Sequence, residues 1–328
     1  MKFSDIIGQD AIKTHLQRAA RLKQPSQAYI LEGEKLSGKK TLANTFAAAL
    51  LCERGGEEPC GECHSCKMAA SGSHPDIIHV ERDKKSNEIK IGEIRSQVTE
   101  DVGLRPYYGA YKVYIIDEAE KINLPSQNAL LKTLEDPPDY AVLFLLATSM
   151  DGFLQTVLSR CVKLSLTPLP DIQVTNWLMR NESIPEYEAK VISAFAQGNL
   201  GKAQSLAGSE NFAQMRGQVV ELLSHLDSRA SDQLLADADA LEEAYREQMT
   251  EIFDFFVIWY RDVLVYKALK EKDALTYQEE AYAIMQAARR LSYRKLKENL
   301  AAIAKAREHL AERVGSGRVM QQLLLEIQ

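Results

Sequence analysis

The chain has 328 residues, enough for two or three domains of about 100–200 residues each, and 45% of them are hydrophobic. A net charge of −6 argues against a free-standing nucleic-acid binder, although it is compatible with local basic patches. No apolar run approaches the roughly 18 residues that cross a bilayer, and residues 1–5 lack the apolar core of a signal peptide. A cytoplasmic protein with no membrane partner is expected.

Phe3-Ser4-Asp5-Ile6-Ile7-Gly8-Gln9-Asp10 opens the sequence, and Ile12, Leu16 and Ala19-Ala20 recur at helical spacing over 11–22. A short strand at 28–31 leads into Gly33-Glu34-Lys35-Leu36-Ser37-Gly38-Lys39-Lys40-Thr41 and a helix running to Leu51. Strand, glycine loop and helix are the context of a phosphate-binding loop. Backbone N–H groups and a helix N-terminus face the phosphates, while a lysine reaches the β- and γ-phosphates. Gly33, Gly38 and Lys39 fit that pattern. The next position should offer Mg²⁺ a hydroxyl and instead carries Lys40, a cation that repels the metal. Thr41 lies one residue on, a rotation of about 100° around a helix. An ordinary glycine-rich turn is the plainer alternative. The flanking pattern favours a P-loop fold with impaired catalysis and leaves binding of ATP or ADP open.

Cys52, Cys60, Cys63 and Cys66 follow with the spacing C-x7-C-x2-C-x2-C. Four thiolates suit a closed tetrahedral zinc site, and each Cys-x2-Cys step lets one turn present two sulfurs. An iron–sulfur cluster is a second reading of such steps, and free thiols a third. His64 is expected in an exposed loop. A closed site with four cysteines would staple the insert at 52–66 and perform no chemistry.

Strands are then predicted at 74–80, 112–118, 142–147 and 162–164. A charged loop covers 82–88, and Ile89, Ile91, Ile94 and Val98 give a mixed strand-to-helix pattern. The helix at 126–134 is stopped by Asp136-Pro137-Pro138. Alternation of this kind calls for a parallel sheet covered on both faces. Asp117 and Glu118 end the clearest strand, where an open α/β sheet places its ligand. In a working nucleotide hydrolase the first carboxylate supports Mg²⁺ and the second polarises water; a helix-capping acidic pair is the alternative. Arg160, in Ser159-Arg160-Cys161, reads by itself as a surface ion-pair partner, and Cys161 as a small core residue.

Beyond Pro170 the strand pattern ends. Short helices are expected over 171–206, closed by Gly198-Asn199-Leu200-Gly201, and long amphipathic ones from 211 to 328, including 241–270 and 281–314. Ile252, Phe255, Phe256, Ile258 and Trp259 exceed what one buried stripe needs, which points to subunit contacts. A self-contained bundle is the other account.

These residues resemble the AAA+ clamp-loader family. The likeness rests on Asp5-Ile6-Ile7-Gly8-Gln9, the loop 33–41, the four-cysteine insert, His74-Pro75-Asp76, the strand ending in Asp117-Glu118, the stretch 128–138 and Ser159-Arg160-Cys161. It implies an α/β fold: an AAA+ RecA-like P-loop module with a parallel sheet and zinc insert over 1–166, a small helical lid over 167–208, and a C-terminal all-helical collar domain over 209–328. It further implies a hetero-oligomeric ring with motor and clamp-opening subunits, which loads a sliding clamp onto primed DNA. Arg160 would act in trans as an arginine finger on ATP held by a neighbour. Two departures, Lys40 and Gly201 where a lid arginine is expected, imply a subunit that does not hydrolyse ATP itself; Lys202 could partly replace that arginine. The competing readings are an active motor ATPase of the same complex, rescued by Thr41, and a zinc-ribbon DNA-binding module on a degenerate ATPase scaffold.

Overall fold

The protein is described by a computed structural model covering residues 2–83, 86–312 and 315–328. The chain divides into two compact units, one ending at Pro168 and one starting at Leu169.

The first unit is built on five strands: β1 (Ala28–Glu32), β2 (Ile77–Val80), β3 (Lys112–Ile116), β4 (Ala141–Ala147) and β5 (Val162–Ser165). All neighbours pair in parallel, in the order β2-β3-β4-β1-β5. A parallel sheet must be covered on both faces, which is why its inner strands are apolar at successive positions. Successive side chains alternate between two cores. Tyr29, Leu31, Val142, Phe144 and Leu146 meet Leu16 of the helix Asp10–Leu22 and Phe46 of the helix Lys39–Leu50. Ile30, Tyr114, Leu143 and Leu145 meet Ile94, Leu130 and Val157 on the other side. Tyr29 stacks on Phe144 at 4.8 Å, with Phe46 edge-on to both. This covered parallel sheet has the AAA+ RecA-like architecture that the resemblance implies.

The mixed pattern around Ile89 resolves into one bridge, Ile89 to Ile122, followed by the helix Ile91–Ile94 and a π-helical turn, Arg95–Thr99. Lys84 and Lys85 of the expected charged loop lie outside the described residues.

The second unit is all-helical. Helices Asp171–Asn181, Glu186–Ala196 and Leu200–Leu206 share one core with the longer helices that follow, from Val174 through to Ile327. Both long helices expected from periodicity are broken. Tyr245 ends one helix, a 3-10 turn (Arg246–Gln248) intervenes, and Met249–Leu269 begins anew. Arg290 ends another, after which the Ser292 side chain accepts from the Lys295 N–H and starts Tyr293–Ala311. Val314, at the end of that expected helix, lies outside the described residues.

Ile252, Phe255, Phe256, Ile258 and Trp259 are all buried inside this unit, so their excess over one stripe reflects a helix surrounded by others and gives no sign of an interface. Phe255 packs 4.1 Å from the ring of Phe195. The buried Asp262 carboxylate accepts the Thr276 and Tyr277 N–H groups, each at 2.7 Å, and so fastens the connection that follows its helix.

Candidate functional site

The C-terminal ends of β1, β3 and β4 converge on a cavity of about 420 Å³ lined by the loop 35–41, Asp117, Glu118, Glu120 and Thr148. Gly38 takes φ +96° and caps the helix Lys39–Leu50, a backbone state costly for any other residue. Lys39 is buried, and its Nζ lies 2.6 Å from both the Gly33 and Glu34 carbonyl oxygens, so the lysine is folded onto its own loop. Burial lowers the Lys39 pKa, against the opposing pull of Glu120, Asp117 and Glu34.

Lys40 changes the charge at this site. Its Nζ is 3.6 Å from Asp117 Oδ2, so an ammonium sits on the carboxylate that would support Mg²⁺. Both side chains are about half exposed, and a pair of that kind contributes at most about 1 kcal/mol. Its significance is therefore electrostatic competition with a metal more than stability. Glu118 is also engaged: Lys121 Nζ lies at 2.6 Å and Arg82 at 3.1 Å, and the hydrogen bond from Lys121 holds the Glu118 carboxyl below its ordinary range. Its φ of +50° is unusual for a non-glycine residue. Thr41 does line the cavity.

Glu120 and Thr148 belong to this site although the sequence reading passed over them. Glu120 accepts from the Thr148 hydroxyl at 2.9 Å and from its N–H at 3.2 Å, which couples the end of β4 to the segment after β3. Thr148 directly follows β4 and Glu120 stands in the 3-10 turn after β3, and a place beyond strand C-termini was the available signal.

Arg160 lies elsewhere. Val162, the first residue of β5, pairs with Tyr29 near the start of β1, whereas the glycine loop leaves the far end of β1. Strand length alone separates the two ends by roughly 13 Å, at about 3.3 Å per residue. Arg160 donates to the Thr156 carbonyl at 2.8 Å and pairs with Glu135 at 3.0 Å, at the end of the helix Leu124–Glu135. Gly201 and Lys202 stand in the first turn of the helix Leu200–Leu206 of the second unit.

Cys52, Cys60, Cys63 and Cys66 converge: their sulfur atoms all lie within 4.8 Å of one another, and Cys60 and Cys66 Sγ are 3.9 Å apart. A tetrahedral zinc site with Zn–S near 2.3 Å requires sulfur separations of about 3.8 Å, so the four donors fit such an ion. Cys63 caps the helix His64–Ala70 by accepting from the Cys66 N–H, while Cys60 accepts from the Cys63 N–H, each at 3.3 Å. The Cys63 and Glu62 N–H groups pull the Cys60 thiol down to about 6, whereas burial pushes Cys66 up to about 12. A bound cation would displace the Cys66 proton. His64 is exposed, as expected, but opens a helix where a loop was anticipated.

His74-Pro75-Asp76 ties this insert to the sheet. The buried Asp76 carboxylate accepts the N–H groups of Tyr107, Tyr108 and Gly109 at 2.6, 2.7 and 3.0 Å. His74 Nδ1 accepts the Asp76 N–H at 3.1 Å, and its Nε2 lies 3.0 Å from Ser65 Oγ, which sits between two of the insert's cysteines. Ser65 gives its single proton to the Leu51 carbonyl at 2.8 Å, so His74 must donate through Nε2–H. The imidazole is held neutral, with burial lowering its pKa.

No helix is long and apolar enough to cross a membrane among the described residues. A family model described as DNA polymerase III, delta subunit, matches residues 8–170, and one described as DNA polymerase III, delta subunit, C terminal, matches residues 210–328. The chain is 29% identical over 305 residues to the DNA polymerase III subunit delta' of Bacillus subtilis, covering 92% of this chain and 91% of that one. It is 32% identical over 257 residues to subunit delta' of Pseudomonas aeruginosa, covering 77% of this chain and 76% of that one. Subunit tau of Bacillus subtilis is 30% identical over 287 residues, but this chain spans only half the length of that relative. Matches in both parts of the chain, together with coverage of 91% and 76% of two delta' relatives, place it: the chain belongs to the delta-prime family of DNA polymerase III clamp-loader subunits.

Proposed function

We propose that this chain is a stator-like clamp-loader subunit which does not hydrolyse ATP itself and supplies Arg160 in trans to ATP bound by a neighbouring motor subunit. The observation that carries the reading is the Lys40–Asp117 pair, a cation at the place where hydrolysis needs Mg²⁺. Arg160 fits the second half of the role. It lies at the opposite end of the sheet from its own glycine loop, and an arginine that cannot serve its own site is free to serve another.

The partners in this reading are the motor and clamp-opening subunits of a hetero-oligomeric ring, the sliding clamp, and primed DNA within the assembled complex. The helical part from 209 to 328 would form the collar through its exposed side chains, since Ile252, Phe255, Phe256, Ile258 and Trp259 are internal. Zinc held by Cys52, Cys60, Cys63 and Cys66 would be structural, because four protein ligands leave no open position. Gly33, Gly38, Lys39, Asp117 and Glu118 would be the remains of a nucleotide site.

The test is reconstitution with motor and clamp-opening subunits, followed by ATPase and clamp-loading assays of wild-type and Arg160→Ala complexes, beside an ATPase assay of the isolated chain. One observation favours a second reading, an active motor: Thr41 faces the cavity. ATP turnover by the isolated chain that is abolished by Glu118→Gln would establish it.

A further inference from the structure

We propose that the turn Tyr107-Tyr108-Gly109, together with the start of the helix His64–Ala70, forms a stacking surface for single-stranded nucleic acid. Tyr107 is 83% exposed and Tyr108 is 54% exposed. This exposure is not that of a loose loop, because three successive N–H groups of the turn converge on the buried Asp76 carboxylate. A rigid turn that holds large aromatic rings in water gains nothing from burial, so the rings are available for a partner.

The rings are neighbours. Tyr107 and Tyr108 have centroids 5.6 Å apart, and His64 lies 5.6 Å from Tyr108. Two cations stand close to them in sequence. Arg105 precedes the turn, and Lys67 stands one helical turn after His64 on the same face. Both are exposed, and neither side chain has an ion-pair or hydrogen-bond partner among the described residues. Nearby acidic groups are already engaged: Asp101 pairs with Lys112 at 2.7 Å and Glu62 with Arg54 at 2.8 Å. Exposed rings with unpaired cations a few residues away complement bases and phosphates, since every base has a π-face and stacking tolerates any sequence. An apolar protein segment would use the rings but leave both cations idle. The chain's overall charge of −6 is consistent with a site that relies on stacking and on only two phosphate contacts.

The test uses the full chain and a labelled oligothymidylate of about ten nucleotides, followed by fluorescence anisotropy between about 50 and about 200 mM salt. Weak binding is expected, with a log–log salt slope near −1.4, from about −0.7 per phosphate contact. Tyr107→Ala should weaken binding about tenfold and Tyr107→Phe should retain it, because stacking contributes about 1–3 kcal/mol per base. Arg105→Gln should reduce the slope by about 0.7. Oligouridylate is compared in parallel; binding of either strand supports the surface, and the tighter one identifies its source. The proposal is overturned if neither strand binds at low salt, if Tyr107→Ala and Arg105→Gln leave binding unchanged, or if the slope is steep enough to require a larger basic surface. It is equally overturned if nucleic acid fails to bind while Tyr107→Ala weakens assembly with other clamp-loader subunits, which would make the turn a protein-docking face.

Discussion

Lys40 and Asp117, both lining the glycine-loop cavity, form an ion pair at 3.6 Å, which sets an ammonium against a carboxylate of the kind that supports a divalent metal in a working site. An ammonium carries one charge and no vacant coordination positions. It can neutralise Asp117 but cannot take the several oxygen ligands through which Mg²⁺ joins carboxylate, water and phosphate.

The first prediction concerns that pair. The wild-type chain should show no Mg²⁺-dependent gain in ATP affinity, and Lys40→Thr should create one by freeing Asp117 and restoring a hydroxyl. Titration calorimetry in Mg²⁺ and in EDTA reads the difference. Hydrolysis should remain absent in Lys40→Thr, because Glu118 stays held by Lys121 and Arg82 and Gly201 is unchanged. An equal Mg²⁺ response in the wild type would show that Lys40 swings aside.

A second prediction is one zinc ion per chain. Cys63→Ser removes a ligand and also the sulfur that caps the helix His64–Ala70, so it should release the metal and loosen the insert. Elemental analysis checks the ion, and iron in its place would make the site a cluster. Since thiolates must be deprotonated to bind, zinc should be lost as pH falls, with proton release on rebinding.

Asp76 supplies a third. Asp76→Ala strips three N–H groups of a charged acceptor and should destabilise the chain by about 3 kcal/mol, read as a lower urea midpoint. Asp76→Asn keeps one oxygen acceptor and should cost about half as much. Equal stability of all three proteins would mean that water replaces the carboxylate freely.

The fourth follows from His74. Burial lowers its pKa below the unfolded value of 6.5, so the folded protein resists a proton that the unfolded chain accepts. Its contribution to stability is therefore fully present above pH 6.5 and lost as pH falls from there through the lowered folded value. Protonation would place a hydrogen on Nδ1, which now accepts the Asp76 N–H. Urea midpoints of the wild type should drop across that window, and His74→Gln should flatten the drop.

What the sequence could show depended on whether the information was local. The glycine loop, the strand leading to Asp117 and the cysteine cluster lie in single short stretches, although β3 ends at Ile116, two residues before the expected end at Glu118. The partner of Lys40 was not legible, because it depends on β3 standing two places from β1 in the sheet. The tie from Glu118 to Arg82 was hidden for the same reason, since β2 stands beside β3, whereas that from His74 to Ser65 depends on how the insert folds back on itself. Helix breaks near Tyr245 and Leu291 escaped because apolar spacing runs on through them, while the change of direction lies in a few backbone angles. Trp259 and Phe256 misled because a helix buried all round looks, in one dimension, like a helix with a spare apolar face.

The last prediction returns to Arg160. In the isolated chain its guanidinium rests on Glu135 at 3.0 Å and on the Thr156 carbonyl. That ion pair is partly exposed and worth about 1 kcal/mol at most, so a phosphate offered by a neighbour could replace it at little cost. A planar, always-charged guanidinium suits charge spread over γ-phosphate oxygens, and lysine does not reproduce its fork. Arg160→Ala and Arg160→Lys should therefore leave folding and ring assembly unchanged while reducing ATPase and clamp loading of the reconstituted complex. An arginine finger acting alone is worth about 10³–10⁵ in rate, but only one site of the ring would depend on this one. The expected loss is partial in bulk ATPase and larger in clamp loading if the sites fire in sequence. Glu135→Gln is the control that separates the two roles of Arg160. It removes the resting partner and should leave activity intact or raise it, whereas a surface arginine that matters only for its ion pair would make Glu135→Gln and Arg160→Ala behave alike.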